Sequence, residues 1–113
     1  MPEVRITPQP VVEGGLAAVY TGTLLTTNTY RVRNDGKTIL HFLKTAAVAC
    51  TVTIDTPNTV DGHAIAQATV TVAATTGNQF CGPFPKSVYN DSQGDLTFTC
   101  SDVDGLTVAA LEI

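Results

Sequence analysis

From residue 29 onward, apolar and polar side chains alternate with a period of two, the spacing of half-buried β-strands. Tyr30 and Val32 alternate with Arg31 and Arg33. Asn34-Asp-Gly-Lys then supplies residues that tolerate positive φ, and Thr38-Ile-Leu-His-Phe-Leu-Lys follows, which together predict a β-hairpin. The second of these strands is apolar on both phases, Ile39 and Leu43 against Leu40 and Phe42. It therefore predicts cover on both faces, or a subunit contact. Cys50, Val52 and Ile54 face one way in a third strand. Val70 and Val72 alternate with threonines in a fourth, and Leu96, Phe98 and Cys100 mark another before a closing strand over residues 106–113. Ala64-Ile-Ala-Gln-Ala is ambiguous. Turn signals recur about every 8–12 residues, the pattern of an all-β fold. The expectation is a single-domain antiparallel β-sandwich, jelly-roll-like or Ig-like, over residues 29–113.

Residues 1–28 break this rhythm. Pro2, Pro8 and Pro10 fix φ and remove donors, and the Gly14-Gly15 pair is a further breaker. Only short apolar pieces lie between, so an extended N-terminal arm is predicted, ordered where it docks. An edge strand folded back on its own domain fits the same residues.

Composition supports the β reading. Charged residues make up 14%, low against a typical ~25%, and threonine fills the gap. The six Lys and Arg are scattered and the net charge is −4, which disfavours phosphate neutralisation and hence nucleic acid. No apolar run approaches the ~20 residues of a membrane helix, and the opening lacks a secretory pattern, so cytoplasmic folding and no membrane partner are expected. Cys50, Cys81 and Cys100 are an odd set at wide spacing, unlike a disulfide scaffold or a zinc site. They are expected to be small buried hydrophobes, with Cys81 in the least regular setting.

No catalytic or metal constellation is legible, and no cofactor is expected. His41 lies in a strand and His63 follows a glycine, neither with ligand-spaced partners. Asp55, Asp61, Asp102 and Asp104 occupy turns, without the bidentate Glu of a calcium loop. The informative stretch is Ala68 to Asp91, where a threonine strand leads into a corner rich in proline and aromatics. Rigid aromatics there provide contact area with little entropy lost on docking. Phe80 is expected to plug the end of the sandwich, while Phe84 suits either core or contact.

Residues 31–113 resemble a family of small structural proteins of tailed bacteriophages and prophages. The resembling pieces are Arg33-Asn-Asp-Gly-Lys-Thr, Val52-Thr-Ile-Asp-Thr-Pro, Val60-Asp-Gly, Thr69-Val-Thr-Val, Phe80-Cys-Gly-Pro-Phe-Pro, Tyr89-Asn-Asp and Gly105-Leu-Thr-Val-Ala-Ala-Leu. The resemblance implies a non-catalytic virion component, most directly a head decoration (cement) protein on the capsid exterior, assembled in the host cytoplasm. It also implies the major capsid protein as partner and a homotrimer at capsid symmetry axes. A head–tail connector, a tail subunit, and a receptor- or carbohydrate-binding module are the alternatives. The expected capsid or subunit contacts are Val4, Ile6, Val11, Val12 and Tyr20 of the arm, with Phe84 and Pro85 of the corner.

Overall fold

The computed structural model describes residues 3–22 and 24–113; Pro2, one of the three arm prolines, lies outside them. Among the described residues there are eleven strands and one helical turn. The strands are β1 (Glu3–Ile6), β2 (Gln9–Pro10), β3 (Thr29–Arg33), β4 (Thr38–Lys44), β5 (Cys50–Ile54), β6 (Thr59–Val60), β7 (His63–Ala64), β8 (Ala68–Val72), β9 (Gly77–Cys81), β10 (Asp95–Cys100) and β11 (Leu106–Glu112). A single helical turn, α1 (Lys86–Tyr89), sits inside the aromatic corner.

Two sheets pack face to face, with strand orders β1-β3-β10-β5-β8 and β2-β11-β4-β9; β6 and β7 form a separate small ribbon. This is the all-β sandwich that the alternation predicts. Both sheets are mixed, because β1 joins β3 and β2 joins β11 in parallel, while the other pairings are antiparallel. Tyr30, Val32, Val52, Leu96 and Phe98 of the larger sheet meet Leu40, Phe42, Leu106 and Val108 of the smaller in one core. Within it Phe98 stacks on Tyr30 and meets Phe42 edge-on.

The predicted hairpin of residues 29–44 does not form. β3 and β4 lie in opposite sheets, and the Asn-Asp-Gly-Lys turn carries the chain across the sandwich. Gly36, at φ +92°, makes that turn possible. Asn34 does something else: its Nδ2 donates to Phe84 O (3.0 Å) and Asn90 Oδ1 (2.6 Å). Asn90 Nδ2 returns a bond to Asn34 O at 2.7 Å, so the aromatic corner is lashed to the turn. At the β8–β9 crossing, a Cβ on Gly77 would lie 2.3 Å from Ala73 O, so only glycine lets the backbone close there.

The N-terminal segment is extended, as its prolines require, and it is paired at residues 3–6 and 9–10. Val4 and Ile6 lie beside Tyr30 and Val32 on the core-facing side of β1. Glu3 and Arg5 share the other side with Arg31. The adjacent Arg5 and Arg31 would repel, but Asp95, itself buried, accepts two bonds from Arg5 (3.0 and 2.7 Å) and one from Arg31 Nε (3.3 Å). Arg31 also reaches Glu3, Asp91 and Gln93. Those bonds hold the Asp95 carboxyl below its usual range, the Arg5 hydrogen bonds acting most strongly and burial opposing them.

At the opposite end of the sandwich the buried Lys44 ammonium donates to Asp102 Oδ1 (3.0 Å) and Asp104 O (2.7 Å). A lysine is tolerated in that buried position because its charge is paired and hydrogen-bonded.

Candidate functional site

Residues 11–20 form a loop closed at its base and open at its tip. Val11 N donates to Glu112 O at 2.8 Å, and Gly15 N to Val12 O at 3.0 Å across the Gly14-Gly15 turn. Where the loop returns, the Gln9 carboxamide brackets Val19, accepting from its N and donating to its O at 2.8 Å each. Thr21 then bridges Val108 along β11. The base is thus fixed by backbone and carboxamide bonds while Val11, Val12 and Val19 point outward, Val19 being 72% exposed. Compact loops with their ends held together are a common way of presenting contact residues on a rigid scaffold.

Next to this loop, four side chains converge on the outer face of the smaller sheet. Tyr20 Oη lies 2.7 Å from His41 Nδ1, and His41 Nε2 lies 2.6 Å from Asn78 Oδ1. The tautomer with its proton on Nε2 satisfies both contacts, donating to Asn78 and accepting from the tyrosine hydroxyl. Phe80, opposite His41 in the β4–β9 register, stacks on the imidazole with centroids 3.8 Å apart and planes 3° from parallel. The Tyr20 ring meets the same imidazole edge-on. The result is an aromatic row across β11, β4 and β9, ending in a phenyl ring that is 64% exposed.

The seven expected contact residues divide. Val4, Val11 and Val12 are exposed, Pro85 is exposed beside α1, and half-buried Tyr20 anchors the row. Ile6 and Phe84, at 7% and 5% exposure, belong to the core and are corrected accordingly. Ile6 points inward because register places it beside Val32. Phe84 turns under α1 against Tyr89, its backbone carbonyl held by Asn34. The expectation for Phe80 is overturned: expected to plug the sandwich, it is the surface ring, while Phe84, which suited either core or contact, takes the core. Strand β9 presents residues 78 and 80 outward.

Val19, Phe80, His41 and Asn78 are contact candidates that sequence reasoning missed. The apolar second phase of β4 was the available signal, since Ile39 and Leu43 flank His41 on that same outer face. The imidazole is hydrogen-bonded on both nitrogens, to the Tyr20 hydroxyl and the Asn78 carboxamide, and covered by the Phe80 ring. Among the described residues no group of three His, Cys, Asp or Glu could hold a metal ion.

Cys50 and Cys100 lie on the inner face of adjacent strands β5 and β10, and both are buried and free. A hydrogen bond from Cys100, helped by backbone bonds at Asp102 and Ser101, pulls the Cys50 thiol down to about 6, while that same bond and burial raise Cys100. Half-buried Cys81 is pushed up to about 11 by burial. No helix among the described residues is long and apolar enough to cross a membrane. No protein family, curated protein or solved structure matches this chain.

Proposed function

We propose that this chain is a non-catalytic decoration protein of a tailed-phage head, binding the outer surface of the capsid and stabilising it. The observation that carries this reading is the exposed apolar loop of residues 11–20, fixed at its base and continuous through Tyr20 with the His41–Phe80 row. The phage-family resemblance of residues 31–113 supplies the partner, the major capsid protein.

Magnitudes shape the mechanism. Val11, Val12, Val19 and Phe80 are each about half exposed or more, and covering each contributes about 1 kcal/mol, giving roughly 4 kcal/mol in all. Association costs at least that much in lost translational and rotational freedom. One copy therefore docks weakly through these side chains alone. Firm decoration needs several copies acting together, as a trimer at a symmetry axis would provide, or further contacts from the capsid side. Anything that binds only the assembled shell stabilises it by mass action.

Co-sedimentation of the purified chain with undecorated heads, over a concentration series, tests the proposal. Saturable binding at a ratio matching capsomer symmetry, lost in a Val12→Ser/Val19→Ser variant with unchanged melting temperature, is expected. Absence of binding, together with a stable ring in solution, would replace decoration by a connector role.

A further inference from the structure

The outer face of the larger sheet carries a different chemistry. Strands β3, β10, β5 and β8 lie side by side, and their register aligns threonines in a row. Thr99 is opposite Thr53, and Thr53 is opposite Thr69. Thr29 extends the row on β3, one step beyond the Tyr30–Phe98 pair. Beside this row Asp55 N donates to Thr97 O at 2.9 Å, and Gln67 Nε2 donates to Asp55 Oδ1 at 3.1 Å. Between the two rows lies a concavity of about 220 Å³, lined by Thr29, Thr53, Thr97, Thr99, Asp55 and Gln67.

We infer that this concavity binds a single neutral sugar ring, as the terminal residue of a glycan. Each lining group restricts the ligand class. Asp55 repels anions, and one carboxylate among hydroxyls is too few donors for a hard cation. The only lining aromatic is Phe98, whose ring is buried in the core, so no platform exists for a nucleobase. What remains is a surface of threonine hydroxyls that both donate and accept, a carboxylate with acceptor capacity beyond its bond to Gln67, and threonine methyls. A pyranose matches that set. Its hydroxyls donate to Asp55 and exchange bonds with the threonines, and its ring C–H groups lie on the methyls. The volume is below the ~300 Å³ at which drug-sized sites begin, so one ring fits and a chain does not. Without an aromatic platform, affinity for one ring falls in the millimolar range. The site faces away from the Phe80 row, on the other side of the sandwich, and holds whether or not the chain decorates heads.

The test is an amide-resolved NMR titration of the full chain with methyl glycosides of glucose, galactose, mannose and N-acetylglucosamine, with glycerol as the control polyol. At least one glycoside is expected to give saturable shifts confined to residues around the concavity, with a Kd of about 1–10 mM. Thr53→Val and Asp55→Asn are each expected to weaken that binding tenfold or more while leaving the melting temperature unchanged. Gln67→Ala, on an exposed side chain, gives a second loss of function that packing does not confound. No saturable shift with any glycoside, equal shifts with glycerol, or undiminished binding in all three variants would overturn the inference.

Discussion

Replacing Ile6 by alanine tests whether the N-terminal segment belongs to the sandwich. Ile6 is the fully inward residue of β1, 7% exposed and beside Val32. Ile→Ala in a core costs about 2–5 kcal/mol, the larger values where the site cannot collapse. An edge strand relaxes more readily than a central one, so about 2–3 kcal/mol is expected. For a chain of 113 residues each kcal/mol shifts the melting temperature by roughly 4 °C, giving a drop of roughly 10 °C. Thermal unfolding followed by far-ultraviolet circular dichroism and by tyrosine fluorescence measures it, with Val4→Ala as a half-exposed control on the same face. A shift under about 2 °C, or a separate early transition confined to one probe, would show that β1 is an appendage, and the reasoning would fail.

The two corner phenylalanines should separate cleanly. Phe84→Ala removes a buried ring and should cost about 3–5 kcal/mol in urea unfolding, whereas Phe80→Ala should change stability by no more than about 0.5 kcal/mol yet weaken sedimentation with heads. Acid should loosen the β1 edge. The Asp95 pKa is depressed in the folded chain, so its stabilisation is complete above the unfolded value near 3.9 and is lost as pH falls through the folded one. Urea midpoints should be flat from neutrality to about pH 5 and fall below pH 4, with a shallower fall in Asp95→Asn. The thiols should be silent in the native state. Cys81 titrates near 11 and the other two are buried, so a disulfide reagent at neutral pH should label all three only after denaturant is added.

Strand positions were legible because alternation is local: Tyr30 with Val32, or Val52 with Ile54, announces a pleated face without reference to any partner. Pairing was not. Asn34-Asp-Gly-Lys carries the residues of a tight turn, but turn chemistry sets only the backbone angles. It cannot say whether the chain returns in its own sheet or crosses to the other. The contact face was half legible. The valines of the glycine-broken loop stood out as apolar residues in a segment unable to form a core strand. The Tyr20–His41–Asn78–Phe80 row joins positions far apart in sequence, and only the β4–β9 register and the Thr21–Val108 bridge bring them together. The threonine concavity escaped for the same reason, since each threonine alone is an ordinary solvent-facing strand residue.

The parallel pairing of Gln9 with Leu111 sets a timetable for folding. Roughly 100 residues separate the partners, so this edge of the smaller sheet stays open until β11 has left the ribosome. Until then β4 has only β9 beside it, and the apolar face of that sheet has no complete opposing layer. A nascent chain interrupted before residue 106 therefore exposes unpaired strand edges and uncovered apolar surface, the species most prone to aggregate. Closure is a late and cooperative event, and yields on expression should depend more on how long the chain waits incomplete than on the stability of the finished sandwich.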